Sequence, residues 1–279
     1  VYGDSTAGQA AVYPLGLSGV PIINVNNNCA TGSSALFLAR QAVESGMVDC
    51  ALALGFEEMR PGALGAVFSD RPSPMERSFR EMVDLQDFDK NAPGAAQFFG
   101  GAGVEYSKKY GTRRETFAKI ASKARVHAQH NPFAIFKEQL TVEEVLGSPQ
   151  IFGPLTRYQC CPPTCGAAAG INADVVIKAQ SMTTDFKSTF DDHSMIKLIG
   201  YDMAKEAARR VYEKAGVGPE DIQVVELHDC FTANELLTYE ALGLTPEGTA
   251  EKFIWDGDNT YGGKYVTNPS GGLLSKGHP

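Results

Sequence analysis

Twice in this chain a short aliphatic run ends in a polar, cysteine-bearing turn and is followed by a helical pattern. The first run is Val20-Pro21-Ile22-Ile23-Asn24-Val25, and its turn is Asn26-Asn27-Asn28-Cys29. The run reads as a buried strand. A helix is predicted over 31–45, where Ala35, Leu38, Ala39, Ala42 and Val43 form one stripe and Gly46 supplies the stop. Residues 48–54 (VDCALAL) read as the next strand. In the second unit a helix over 203–215, closed by Gly216 and Gly218, precedes a strand over 222–227 (IQVVEL). The turn His228-Asp229-Cys230-Phe231 and a helix over 232–242 follow. Strand–turn–helix–strand order belongs to α/β proteins with parallel sheets. Two such units hint at two related halves, although their residue identity is too low to define a repeat.

Between them the pattern turns helical. Residues 61–90 read as loop with one short helix, 97–110 and 114–130 as helices, the second ended by Asn131-Pro132. A short helix over 141–146 opens with the capping-box pattern Thr141-Val142-Glu143-Glu144. Such a helical insert between sheet units forms a lid or a wall of a binding site. Gly257, Gly262, Gly263, Gly271, Gly272 and Gly277 mark loops whose backbone lies close to something else.

Composition excludes several classes. With 43% hydrophobic and 21% charged residues over 279 positions, a sizeable core is available. A formal charge of −8 argues against nucleic-acid binding through bulk charge. No apolar run reaches the ~18 residues of a membrane span. Six cysteines are too sparse for a disulfide scaffold and suit a reducing compartment.

Cys29 is the sharpest chemical candidate. A helix N-terminus favours a thiolate, and Ala30 and Gly32 leave room for a substrate. Position alone equally admits a packed structural cysteine. His228 and Cys230 stand at the C-terminal end of a strand, where α/β sheets bind ligands, or are a satisfied histidine and a core thiol. His278 closes Asn268-Pro269-Ser270-Gly271-Gly272-Leu273-Leu274-Ser275-Lys276-Gly277-His278-Pro279, and Pro279 suits the first turn of a following helix. Cys160, Cys161 and Cys165 lack metal-site spacing and read as packing residues, so no metal is expected. His127 and His130 read as a solvated helix face, as do Lys108-Lys109 and Arg113-Arg114. His193, in an acidic loop, has no assigned role.

Three ordered motifs together resemble the thiolase superfamily, and within it the SCP2-thiolases (the thiolase domain of sterol carrier protein X). They are Asn26-Asn27-Asn28-Cys29-Ala30-Thr31-Gly32-Ser33-Ser34, His228-Asp229-Cys230-Phe231, and Asn268-Pro269-Ser270-Gly271-Gly272 with Gly277-His278-Pro279. Tyr2-Gly3-Asp4-Ser5 and Gly257-Asp258-Asn259-Thr260-Tyr261-Gly262-Gly263-Lys264 add to the likeness, which covers nearly the whole chain. The His-Asp-Cys-Phe tetrapeptide differs from the Asn-Glu-Ala-Phe of other thiolases.

The resemblance implies a thiolase-like layered αβαβα fold of two similar halves, an α/β class. Residues 1–60 would be part of the N-terminal half, 61–150 a helical loop domain, and 151–279 the remainder with part of the C-terminal half. It implies thiolysis of a 3-oxoacyl-CoA by CoA, giving a shortened acyl-CoA plus acetyl-CoA, or propanoyl-CoA from 2-methyl-branched chains. Cys29 matches the nucleophile, His278 its activating base and an oxyanion-hole group, His228 the partner in that hole, and Cys230 the acid/base at the α-carbon. Ser270, Gly271 and Gly272 match the CoA-binding loop. No permanently bound cofactor is implied; CoA and acyl-CoA are substrates. A homodimer or homotetramer and a peroxisomal location are implied as well, with a cytoplasmic one otherwise.

The chain departs from the family in places. Family members begin with a further strand and helix and continue beyond position 279 with a buried helix and last strands, so a fragment is expected, truncated at both ends. Thr164-Cys165-Gly166-Ala167-Ala168 stands where Ser-Asp-Gly-Ala-Ala is common, and 173–180 is shorter than usual. The alternatives are a noncatalytic relative that binds acyl-CoA or lipid, and a condensing enzyme, which has no need of Cys230.

Overall fold

The computed structural model describes residues 5–62, 65, 68–170 and 175–278. Tyr2, Gly3, Asp4, Pro279 and positions 173–174 of the shortened connection lie outside the described residues. In chain order the elements are α1 (Ala7–Val12), α2 (Thr31–Glu44), β1 (Ala53–Glu57), α3 (Glu76–Leu85), α4 (Gly94–Tyr110), α5 (Arg114–Ala128) and α6 (Val142–Leu146). Then come β2 (Gln150–Phe152), β3 (Leu155–Thr156), β4 (Gly166–Gly170), α7 (Lys187–Asp191), α8 (Met195–Leu198) and α9 (Tyr201–Ala215). The last are β5 (Val224–Val225), α10 (Thr232–Ala241), α11 (Ala250–Trp255), β6 (Val266–Thr267) and α12 (Gly272–Lys276). Two compact units share them, one made of Val1–Pro72 and Pro163–Gln180, the other of Ser73–Pro162 and Ser181–His278.

In the first unit the predicted helix forms as α2, but the run before it does not form a strand. Residues 20–25 form no ladder, and Ile23 is 76% exposed. A strand needs a neighbour to take its N–H and C=O groups, and none is present among the described residues. The second predicted strand forms later than expected, at β1, and pairs antiparallel with β4, Ala53 opposite Gly170 and Glu57 opposite Gly166. The parallel unit expected here is therefore replaced by an antiparallel pair. β1 packs on α2: a Cβ at Gly55 would stand 3.6 Å from Gly32 Cα, an ordinary contact distance. The α2 stripe is only partly covered, with Leu38 and Val43 exposed.

The second unit holds nearly all of the buried apolar surface. Phe98, Ala102 and Tyr106 of α4, Phe117, Ile120 and Ala124 of α5, and Ala233, Leu236 and Leu237 of α10 form one cluster. Fully burying a leucine such as Leu236 stabilises by about 2 kcal/mol. α10 is buried on nearly every side, its two glutamates included. Both find partners: Tyr106 Oη–H donates to Glu240, and Lys123 Nζ–H and Tyr239 Oη–H donate to Glu235. The predicted capping box forms, Glu144 N–H donating to Thr141 Oγ1 at 3.1 Å and Thr141 N–H to Glu144 Oε2 at 2.8 Å. Lys109 and Arg113 extend to Glu247 and Glu251 at 3.0 and 2.8 Å on the exposed face.

Candidate active site

Both predicted catalytic loops of the second unit leave the same end of one parallel strand pair. β5 and β6 lie side by side, Val224 opposite Val266 and Val225 opposite Thr267. Parallel strands send their following loops to a common end, the end at which α/β sheets receive ligands. The loop after β5 carries His228, Asp229 and Cys230 into α10; the loop after β6 runs through Asn268 and α12 to His278. The two imidazoles meet edge to face, with centroids 5.0 Å apart and planes at 86°.

Each side chain is held by local structure. His228 is exposed at its loop, and Asn234 Nδ2–H, from the first turn of α10, donates to its carbonyl at 2.6 Å. Cys230 is 3% exposed and lies in the main core. Its carbonyl accepts from Cys161 N–H at 2.9 Å, while Phe231 bridges Cys160 and stacks on Phe99 at 5.1 Å. His278 follows α12, and its N–H donates to the Pro162 carbonyl at 2.9 Å. The helix expected to begin at Pro279 lies outside the described residues.

Ser270, Gly271 and Gly272 are pinned to the protein itself. Ser270 N–H and Oγ–H donate to Glu226 at 2.9 and 2.8 Å. A Cβ at Gly271 would stand 2.7 Å from Ala128 Cβ, and one at Gly272 1.9 Å from Asp229 Oδ2. Both positions also have positive φ, 91° and 61°, which favours glycine. The expected close backbone approach is thus met by neighbouring chain.

In the first unit Cys29 sits in a tight turn immediately before Ala30, the N-cap of α2. Asn28 adopts φ 46°, a left-handed conformation that asparagine tolerates. Ala30 N–H donates to Asn27 O at 3.0 Å and Thr31 N–H to Asn28 O at 3.1 Å. Thr31 Oγ1 accepts from Asn27 N–H at 2.9 Å. The thiol is exposed, so Cys29 is not a buried packing residue. Its place ahead of a helix start favours negative charge on sulfur.

Two expectations change. His127 is not on a solvated face: it is fully buried, its Nδ1 3.0 Å from Asn268 O and its Nε2 2.7 Å from Thr260 Oγ1. The solvated-face reading fails because α5 packs against α6, α10, α11 and α12. Cys160 packs as expected, its thiol pushed up to about 12 by burial, but Cys165 is exposed and accepts Met59 N–H at 3.3 Å. Asp229, Glu226 and Asn234, which hold the two loops, escaped the sequence reading. Their partners are mostly backbone groups, which leave no side-chain signature.

His127 predicts a pH effect. Burial lowers its pKa below the ordinary 6.5. The folded state then binds fewer protons than the unfolded chain just below pH 6.5, so stability present above that value falls as pH drops. The slope is at most about 1.4 kcal/mol per pH unit for one proton. Urea unfolding of the protein and of His127→Gln between pH 5 and 7 measures it as the difference between the two slopes, because Asp229, pushed up to about 7 by burial, contributes with the opposite sign to both.

Comparisons with known proteins place the chain in a family. The thiolase N-terminal domain family matches residues 2–150, and the thiolase C-terminal domain-like family matches residues 186–279. The chain is 55% identical to sterol carrier protein 2 of Oryctolagus cuniculus over 293 residues, covering 100% of this chain and 53% of that protein. It thus spans about half the length of that relative. It is 37% identical to the benzoylsuccinyl-CoA thiolase subunit BbsB of Thauera aromatica, covering 98% of this chain and 70% of that one. A solved structure of an Ltp2–ChsH2 aldolase superposes with a TM-score of 0.77 at 22% identity, covering 98% of this chain and 72% of that chain, which shows a shared fold. The mixed α/β fold is thiolase-like, and the chain belongs to the thiolase family.

Proposed function

We propose that this protein is an acyltransferase that cleaves 3-oxoacyl-CoA with CoA, accepting 2-methyl-branched chains, through an acyl-Cys29 intermediate. The observation that carries the reading is the His228–His278 imidazole pair at 5.0 Å, with Cys230 at the end of the same loop, in a thiolase-family chain. In this reading Cys29 Sγ, deprotonated with His278 as base, attacks the 3-oxo carbon. The Cα–Cβ bond breaks, and its electron pair goes to the departing enolate of acetyl- or propanoyl-CoA. His228 and His278 N–H groups stabilise the developing oxyanion, and Cys230 S–H supplies the proton to the α-carbon. CoA thiol then gives its proton to the Cys230 thiolate, attacks the Cys29 thioester and carries the shortened acyl group away, leaving Cys29 as the thiolate with its first proton still on His278. Each task matches its residue: a thioester acceptor needs a thiolate, and an oxyanion needs preorganised donors. Ser270, Gly271 and Gly272 flank the CoA in this reading. A homodimer or homotetramer and a peroxisomal setting in fatty acyl β-oxidation complete the proposal.

The assignment of Cys230 has its own test. Cys230→Ala should lower α-proton exchange of acetyl-CoA by about 100-fold or more, the usual worth of a positioned acid/base. Acylation of Cys29 should continue. Deuterium exchange read by mass spectrometry, beside acylation of the same sample, measures both. Exchange surviving unchanged would overturn the role, and acyl-CoA binding with no turnover would favour a binding protein.

A further inference from the structure

One carboxylate joins the two histidine loops, and the proposed acyl-transfer chemistry leaves it without a task. Asp229 stands between His228 and Cys230 and is fully buried. It accepts the backbone N–H of Leu273 at 2.7 Å and of Leu274 at 3.4 Å, in the first turn of α12. That helix ends at Lys276, two residues before His278. Gly272 makes the contact possible, because any side chain there would occupy the space of Asp229 Oδ2. On the same loop Glu226 holds Ser270, so the stretch 270–274 is tied to the loop that bears His228.

We propose that Asp229 is a positioning residue that fixes His278 against His228 by holding the first turn of α12. This rests on the reading of the two imidazoles as the catalytic pair. The geometry calls for a carboxylate. Two oxygens meet two N–H donors, whereas an asparagine would aim an NH₂ at one of them. The fold bears a cost for it: burial first, then the nearby Glu235 charge, push the Asp229 carboxyl up to about 7. The Leu273 and Leu274 amides and Lys123 offset part of that cost. A carboxylate kept at such a cost between two site residues is placed for geometry more than for stability.

The test is Asp229→Asn, nearly isosteric, in the otherwise unchanged protein. Acylation of Cys29 by acyl-CoA in the unsubstituted protein is measured first, because its absence overturns the acyl-transfer reading itself. With acylation present, the variant should keep its circular dichroism spectrum and lose about 100-fold in kcat, the scale of a ~1 Å misplacement. KM for acyl-CoA should change less than about threefold, and amide exchange at Leu273 and Leu274 should speed up. A folded variant with kcat within threefold of the unsubstituted protein overturns the proposal while leaving the acyl-transfer reading intact. So does a rise in KM at constant kcat. Should Asn at 229 prevent folding, Gly272→Ala carries the same test, since its Cβ displaces the carboxylate without removing its charge. The same loss of kcat is expected, and its absence overturns the proposal.

Discussion

Cys29→Ala is expected to abolish acyl transfer while leaving the fold in place. Removal of a catalytic nucleophile lowers kcat by about 10⁴-fold or more. The substitution should cost little stability, within about 0.5 kcal/mol, because the side chain is exposed and packs into no core. No other cysteine replaces it. Cys230 lies in the core, and Cys160 and Cys161 are partly buried against it, with the Cys160 thiol pushed up to about 12. Cys50 and Cys165 are exposed but do not precede a helix start. Steady-state consumption of a 3-oxoacyl-CoA, beside thermal unfolding of the same sample, measures both halves. Activity above about 1% of the unsubstituted protein contradicts the assignment of Cys29 as nucleophile.

Glu235→Ala is expected to have the largest effect on stability. The carboxylate is fully buried on α10 and paired with Lys123, which is 8% exposed. Lys123 Nζ–H also donates to Thr267 Oγ1 at 2.6 Å and Tyr239 Oη at 3.1 Å, and Asn259 Nδ2–H donates to Tyr239 Oη at 3.0 Å. Removing one partner leaves the lysine charge buried, which costs about 3–5 kcal/mol. That is a large share of the roughly 5–15 kcal/mol that holds a domain folded. The double substitution Lys123→Met with Glu235→Leu should recover most of the loss, because it removes both charges and keeps volume. Denaturant midpoints measure the set. A single-variant loss under about 1 kcal/mol contradicts the network as a stabilising unit. Thr267 precedes Asn268, so the network also supports the loop that leads to His278.

What the sequence disclosed divides along physical lines. Helices α4, α5, α9 and α10 were legible because period, caps and stops act within a few residues of one another. The strand expected over 20–25 was not, because an apolar run carries no record of whether a ladder partner exists. β1 starts late in its apolar segment and runs past it, where β4 supplies the ladder partner. The site divides the same way. Cys29, His228, Cys230 and His278 stand out as candidates because each stands at a turn beside a helix or strand pattern. The groups that hold them were not. Asp229 and Glu226 act on amides some 44 residues away, and His127 meets Asn268 at 141 residues' separation. The parallel pairing of β5 with β6 brings the first two pairs together, and the packing of α5 on α12 the third.

The most direct measurement is the intact mass of the protein after incubation with an acyl-CoA, followed by peptide mapping. The account predicts a single acyl group added, removed again by CoA, and located on Cys29 among the six cysteines. A folded protein that gains no acyl group, or carries it only on another cysteine, contradicts it.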